Sequence, residues 1–595
     1  MIDGTEQPAF FDALPERLGE YDSPWESPLT LFFEAPIKRK PWQLARIPEY
    51  LSLDAPISSN DKGVISRLQE LAESRLETEA LAGFKTAMLA FEKRATEAGL
   101  PPSEIDATYV QIERLLSARE EAALGVAERA RLSAQILHLA ASPMHVNQGD
   151  HNTCGSAILE VKAYWRRPSV AAKLVADVAL TGHFQTGNGL TIEVDPSPHG
   201  TSKQERQADG QRSHASEIFQ TAVIQLALRT RESEANKEGL VVYKQVEPAH
   251  ANDSGERVVD YSTDPPRETV FEGLYVPDVI RANDILFGTK GDATVLWYSP
   301  RRFAWQESSN TFNDEQDLLN KLRELKRANQ LPVALYVHRG IDPLWTESPT
   351  SANGGRGGYH FITVTDVSST PPPEVAVDST WWLKADHPSD RPMDLRDLFF
   401  TTLPPKEAER RLRQEVMANN TRGKPDAAKE VALIRLEWAN GTASNEQLLD
   451  ALREIVLVSS ARWHRERQAE TVDEREYQAA VEKILHAVDR LPYGDKLRML
   501  KVLNGQRMMS AKDYDSAIAV TMIEMEQQRK MSLVHGDPTP AQEKQFESGD
   551  GELNKSLAEL EPERQAAIRD QIRRQRLNDD SGFFAGRFLE RRNRR

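Results

Sequence analysis

The spacing of apolar residues changes twice along the chain, and this change is the strongest constraint on its fold. From about Ser66 the apolar residues recur at helical spacing. Between residues 144 and 402 short β-type runs appear, and from Pro404 the spacing is helical again. A helix followed by mostly antiparallel strands is typical of an α+β domain. The sequence therefore predicts a central α+β domain with all-helical regions on both sides.

A chain of 595 residues is too long for one ordinary domain, which agrees with this division. We predict an extended arm rich in proline and aromatic residues, a helical hairpin, the α+β domain, a helical C-terminal domain, and a linker followed by an Arg-rich tail. The bounds of these segments are 1–60, 61–143, 144–402, 403–535 and 536–595.

Within these segments the apolar pattern predicts individual elements. The hairpin is expected to consist of two antiparallel helices, the second running from Ser103 toward Ala140. In the α+β domain a helix is predicted from about Gly155 to Leu180. Strands are predicted at Asp284–Phe287, Ala293–Tyr298, Leu331–Val337, Phe361–Val367 and Glu374–Asp378. The three prolines at 371–373 indicate a hairpin between the last two strands.

Composition excludes several classes of function. A net charge of −16 argues against non-specific binding to nucleic acid, which depends on neutralising phosphates. No apolar run reaches the length of a membrane span. The first residues lack the basic start and apolar core of a secretory signal, so we expect a cytoplasmic protein or one exported by a leaderless route.

The single cysteine, Cys154, lies at the predicted start of a helix, in the segment Gln148-Gly-Asp-His-Asn-Thr-Cys154-Gly-Ser-Ala-Ile-Leu159. Unpaired amides and the helix dipole at such a position favour the thiolate over the thiol. Gln148 precedes Cys154 across a turn. Its side-chain amide and the Cys154 backbone N–H can therefore form the pair of donors that a developing oxyanion requires.

A thiolate nucleophile also needs a base and a group that orients the base. His360 begins a predicted strand, and Asp378 ends the next one. On adjacent antiparallel strands we expect the two side chains to lie side by side, with Asp378 fixing the imidazole tautomer. Trp381 or Trp382 would cover the pair and exclude water.

His151, three residues before Cys154, is an alternative base. Asp150 and His151 are also possible ligands of a metal ion, but no further ligands at metal-site spacing accompany them. We therefore predict neither a metal site nor a cofactor.

This pattern resembles the papain-like cysteine peptidases, and in its finer motif the double-glycine-leader peptidases of bacteriocin exporters. The resemblance rests on the segment 148–159, on His360-Phe-Ile and on Val377-Asp378. It implies a papain-like domain at 144–402 that acts on a protein or peptide substrate. It also implies roles for four residues. Cys154 would be the nucleophile and His360 the general base, while Asp378 would be the orienting carboxylate and Gln148 the oxyanion donor.

The resemblance leaves three functions open. Besides a peptidase, the same triad serves glutamine deamidases and transglutaminase-like enzymes, and an inactive papain-like domain can act as a binding scaffold between helical modules. The modular, leaderless layout would suit a bacterial effector or toxin. The stretch at about 185–280 is expected to be an insertion that shapes or blocks the cleft. The Met-rich helical C-terminal region is a possible surface for a protein partner, although core packing is the simpler explanation of its methionines.

Overall fold

The structure is a computed structural model that describes most of the chain from residue 61 to residue 579. The described ranges are 61–119, 121–149, 151–197, 212–231, 233–246, 255–288, 295–300, 310–338, 340–341, 344, 358–380, 393–422, 426–469, 477, 481, 484–485, 488, 491–534 and 540–579. The predicted N-terminal arm, the covering tryptophans Trp381 and Trp382, and the end of the Arg-rich tail lie outside these ranges.

The N-terminal region contains more helices than the predicted hairpin. Helices α1 to α4 span Asp61–Arg75, Thr78–Glu97, Pro102–Ser117 and Val126–Ala141. The long second helix of the prediction is interrupted because the backbone N–H groups of Ala123 and Leu124 donate to carbonyls at the end of a later helix, at 3.0 Å. These tertiary hydrogen bonds take the place of helical ones, and no local pattern reveals them.

The helix predicted from Gly155 to Leu180 is present as two helices. They are α5, Cys154–Arg166, and α6, Pro168–Thr181. Pro168 has no N–H to continue α5, and a proline disfavours helical geometry in the residue before it. Accordingly Arg167 leaves the helical region, with φ −141° and ψ 66°, and a new helix begins at Pro168.

The stretch predicted as an insertion contains a central helix. It begins with strands β1, His183–Gln185, and β2, Thr191–Glu193, which are followed by helices α7, His214–Arg229, and α8, Glu234–Glu238. Strands β3, Val241–Gln245, β4, Glu256–Asp260, and β5, Arg267–Val270, come next. Helix α9, Val276–Phe287, ends the stretch. Every residue of α7 from His214 to Leu228 is buried, and α7 packs against α5, α6 and α9. Much of this stretch therefore belongs to the core and is not peripheral.

The strand predicted at Asp284–Phe287 is wrong, because these residues form the last turn of α9. The helix begins with Pro277 in its first turn, and Asp278 Oδ2 accepts a hydrogen bond from the Tyr275 backbone N–H at 3.2 Å. These are start signals of a helix. A short apolar run at a helix end carries no period of its own, so in isolation it cannot be told from a strand.

The largest sheet among the described residues has six strands and is mixed. Its strands β6 to β11 span, in order, Val295–Tyr298, Thr311–Phe312, Val333–His338, Tyr359–Val367, Glu374–Asp378 and Met393–Asp394. Helix α10, Glu315–Arg327, lies between β7 and β8 in the chain. The strand order is β11-β10-β9-β8-β6-β7. The pairs β11–β10, β10–β9 and β9–β8 are antiparallel, and β8–β6 and β6–β7 are parallel. The predicted hairpin of β9 and β10 is confirmed, and the chain has the predicted α+β fold.

The two faces of this sheet are covered by different helices. Val295, Ala334 and Phe361 join a core that extends through α1 to α7 and α9. Leu335 and Ile362, on the opposite face, join a second core with α10 and the next helices of the chain. Because neighbouring strand residues point to opposite faces, the two cores divide the residues of β8 and β9 between them.

The C-terminal region is helical, as predicted. Helices α11 to α18 span Leu395–Thr401, Pro405–Thr421, Ala427–Ala439, Asn445–Gln468, Tyr493–Gly505, Ala511–Val534, Pro540–Ala558 and Pro562–Asp579. Their apolar side chains form a third core, which includes Met499, Met508 and Met525. Core packing thus explains these three methionines.

The linker predicted from residue 536 is wrong over most of its length, since 540–558 is helix α17. Of its two described glycines, Gly549 lies where helices approach closely, and a Cβ at Gly551 would meet nothing within 4 Å. A Cβ at Gly549 would be 2.5 Å from the Met525 sulfur and 3.0 Å from Tyr493 Cβ. Phe546 and Leu553 of the same helix are buried in the third core. The segment is therefore helical, and Gly549 allows its close packing.

Within the part of the chain that the structure describes, no helix is long and apolar enough to cross a membrane.

Candidate active site

Cys154 is the first residue of α5, is partly exposed and forms no disulfide. The residue before it, Thr153, occupies the N-cap position, yet its side chain makes no capping hydrogen bond. The Thr153 hydroxyl instead donates to Gln220 Oε1 at 2.7 Å. No acidic residue lies in the first turn. The positive end of the helix dipole is therefore not neutralised by a cap, which favours a thiolate at Cys154.

Gly155 explains how α5 can approach the sheet so closely. A Cβ at this position would lie 3.0 Å from Leu274 Cβ and 3.0 Å from Val279 Cγ2, and 3.5 Å from Phe361 Cε2. Only glycine leaves room for these neighbours, because real Cβ atoms are seldom that close to other heavy atoms. The glycine after the cysteine thus brings Cys154 against β9.

The turn before Cys154 holds Gln148 against the chain that follows β10. The Gln148 backbone N–H donates to the Thr380 carbonyl at 2.8 Å, and the Thr380 hydroxyl donates to Gln148 Oε1 at 2.9 Å. Gln148 Nε2 donates to the His151 carbonyl at 2.8 Å. This side chain is 4% exposed. The Gln148 side chain is therefore held in place. Its Nε2 carries two hydrogens, and the second is the one that is not donated to His151.

A cluster of aromatic side chains, called here the aromatic group, lies next to Cys154 on one face of the sheet and consists of Tyr336, Tyr359 and Phe361. Tyr336 stacks on Tyr359 with centroids 4.9 Å apart, and it also contacts Phe361. Burial raises the pKa of Tyr336, and the nearby charges of Tyr359 and Cys154 raise it further. The phenol is thus within electrostatic reach of the thiol. His338 contacts the Tyr359 ring edge-on at 5.3 Å and shares this face.

His338 is a histidine that the sequence analysis did not single out. The signal that would have found it is the alternation along β8, where Ala334, Tyr336 and His338 follow one another at a spacing of two. Ala334 belongs to the core beneath α5, so this set points toward the cysteine. The Gly340 backbone N–H donates to His338 Nδ1 at 3.2 Å.

His360 lies on the opposite face of the sheet from the aromatic group. Its neighbours Tyr359 and Phe361 both contact Tyr336, so alternation directs the side chain of His360 to the other side. The His360 ring nitrogen Nε2 lies 3.4 Å from Ser379 Oγ. The residue paired with His360 on β8 is Val337, which belongs to the second core.

Asp378 ends β10 opposite Thr363 of β9, and is 2% exposed. Since Val377 points to the second core, alternation directs Asp378 to the face that receives α5. The structure therefore brings Cys154, Gln148 and Asp378 to one face of the sheet. We expected Asp378 and His360 to lie side by side, but alternation along β9 and β10 directs their side chains to opposite faces of the sheet, and a direct hydrogen bond between them stays a prediction.

The alternative base His151 lies beside a buried carboxylate. Its Nδ1 is 3.9 Å from Glu256 Oε1, and the Glu256 side chain is fully buried. Burial raises the pKa of Glu256, although His151 and the N–H of Asn152 act in the opposite direction. Glu256 contributes to the geometry of the turn that contains His151.

The described residues contain no group of three His, Cys, Asp or Glu side chains that would hold a metal ion. Comparisons with protein-family models, curated proteins and solved structures find no match to this chain.

Proposed function

We propose that the protein is a cysteine-dependent acyl-transfer enzyme that cleaves a peptide or amide bond through a thioester on Cys154. The observation that carries the proposal is the position of Cys154 at an uncapped helix end, with Gln148 fixed beside it by Thr380. A helix end of this kind lowers the pKa of a thiol, and a fixed amide donor stabilises an oxyanion.

In the proposed reaction the Cys154 thiolate attacks the carbonyl carbon of the substrate. Negative charge then develops on the carbonyl oxygen, where the second hydrogen of Gln148 Nε2 and the backbone N–H of Cys154 would donate. Collapse of this intermediate expels the amine, which takes up a proton from the general acid, and leaves a thioester. Water, after losing a proton to the same group as base, releases the acyl product.

The motif assigns the base to His360, with Asp378 as the orienting carboxylate. His338 is the competing imidazole, since it lies on the face beside Cys154. The bond from the Gly340 N–H to His338 Nδ1 places the proton of a neutral ring on Nε2. That tautomer suits a hydrogen-bond donor and not a base, whereas alternation directs His360 to the other face of the sheet. The comparison of the two variants below therefore decides which imidazole transfers the proton.

A papain-like architecture is part of this proposal. It is supported by a helix that begins with the cysteine and packs against β9, and by antiparallel pairing of β8, β9 and β10. The same arrangement would serve a glutamine deamidase. Release of ammonia from a glutamine-containing protein, without cleavage of its chain, would assign the protein to that class.

We expect alkylation of Cys154 by iodoacetamide to show an inflection at a pH clearly below about 8.5, the value of an ordinary thiol. The measurement is made on the full chain by intact mass, and the single cysteine makes the signal unambiguous. The variant His360→Ala is expected to move the inflection upward by about one unit or more, since an imidazolium partner would be lost.

The matched control is His338→Ala, which removes an imidazole from the neighbouring strand and is expected to have the smaller effect. The reverse order of the two variants would transfer the base role to His338. An ordinary inflection in the unmodified protein, or no labelling of the folded chain, would contradict the proposed function.

A further inference from the structure

The turn that precedes Cys154 is described at residues 147–149 and 151–153 and is called here the turn 147–153. Side chains of two elements that are distant in sequence hold it from outside. One is the buried helix α7 and the other is strand β4. Both belong to the stretch between the cysteine and the predicted histidine. Their contacts bear directly on where Gln148 and Cys154 lie.

Gln220 of α7 joins both ends of this turn. Its Nε2 donates to the Asn147 carbonyl at 3.0 Å, and its Oε1 accepts from the Thr153 hydroxyl at 2.7 Å. The same Nε2 also donates to Glu160 Oε2 of α5 at 2.9 Å. Gln220 and Glu160 are fully buried. A single amide therefore fixes the first and last residues of the turn to the helix that carries the nucleophile.

Glu256 of β4 holds the turn near its C-terminal end. Its Oε2 accepts from the Asn152 backbone N–H at 2.7 Å, and its Oε1 accepts from the Tyr243 hydroxyl at 2.8 Å. Asn152 is further tied to the Phe271 carbonyl by its side-chain amide at 3.3 Å. The carboxylate thus receives a charge-assisted bond from a residue two positions before Cys154.

Burial of this carboxyl works against the stability of the fold. Because desolvation raises the pKa of Glu256 above that of the unfolded chain, the folded state is favoured less as pH rises through the interval between the two values. A carboxyl kept in spite of this cost indicates a local task.

We propose that Gln220 and Glu256 are positioning residues that hold the turn 147–153 and thereby place Gln148 and Cys154 for the reaction. This inference rests on the proposed function. It assigns the central part of the stretch at 185–280 to support of the site. Loss of either side chain is expected to loosen the turn, and small displacements of reacting groups have large effects on rate.

The test compares the full-length variants Gln220→Met and Glu256→Met with Gln225→Met. Gln225 lies on the same helix, is also buried, and donates to the Tyr243 carbonyl at 3.0 Å without touching the turn. Amide exchange of the peptide spanning 147–153 reports the turn, and the pH dependence of Cys154 alkylation reports the thiolate. In Gln220→Met and Glu256→Met we expect amide hydrogen exchange of this peptide to be about tenfold faster, which is the effect of losing one net hydrogen bond. They should also raise the inflection by about one unit.

Glu256→Gln serves as the conservative rescue. It keeps an oxygen for the Asn152 N–H, so amide exchange of the turn should stay near that of the unmodified protein. A variant series in which Glu256→Gln behaves like Glu256→Met would show that the charge itself, and not the acceptor, acts on the turn, and would overturn the positioning role.

The outcomes separate the two proposals. Unchanged exchange in Gln220→Met and Glu256→Met, or an equal change in Gln225→Met, overturns the inference while an activated Cys154 still supports the function. Faster exchange with an unmoved inflection reduces both residues to structural support and also overturns it. An ordinary thiol in the unmodified protein contradicts the function itself, whatever the turn does.

Discussion

Replacing Phe219 by alanine is expected to destabilise the folded chain by about 3–5 kcal/mol, the usual cost of removing a buried phenylalanine ring. Phe219 is fully buried in the middle of α7, which packs against α5, α6 and α9. The reason is physical: the ring loses its transfer free energy and leaves a cavity among helices that are fixed from several sides.

The matched control for this prediction is Val270→Ala. Val270 lies on β5 within the same stretch of sequence, but it is 57% exposed. We expect its effect on stability to stay within about 0.5 kcal/mol, as for most surface substitutions. The shift of the urea midpoint measures both variants. Similar small shifts would show that the stretch at 185–280 is a peripheral insertion after all.

The second large effect is expected at Gly155, where alanine should destabilise the protein by about 1–3 kcal/mol. The added Cβ would meet Leu274 Cβ and Val279 Cγ2 at 3.0 Å. Neither atom is the far end of a flexible side chain, so α5 or α9 must shift. Because Cys154 precedes this residue, the same shift should also lower its rate of alkylation.

Gly83→Ala provides the contrast for Gly155→Ala, since both glycines lie within helices. A Cβ at Gly83 would meet nothing within 4 Å. In an exposed helix interior this change should stabilise the protein by about 0.5–1 kcal/mol. Thermal unfolding of the two variants gives the comparison. Equal behaviour would contradict the close approach of α5 to α9 and β9.

The local elements around the site followed from patterns in the sequence. Alternation and the prolines at 371–373 predicted the hairpin of β9 and β10, and the bounds of β10 are those expected from Glu374–Asp378. The helix start at Cys154 was predicted within one residue. Such features depend on a few consecutive residues, whose spacing and turn chemistry largely fix the backbone.

The limits of local patterns appear where distant segments meet. Gly549 and Gly551 indicated a linker but lie within a helix, where Gly549 marks a contact between helices. The run at 284–287 indicated a strand but ends a helix. In both cases contacts with neighbouring helices, and not the local composition, decide the structure. Propensity is a weak preference that packing overrides.

The arrangement of the site itself shows the same division. Local features place Cys154 at a helix start with Gln148 before it, because caps, turns and dipoles act over a few residues. Contacts between distant segments bring His338 to the face of Cys154, direct His360 to the other side, and let α7 and β4 hold the turn. Those features depend on strand register and on contacts between residues far apart in sequence, which local spacing does not encode.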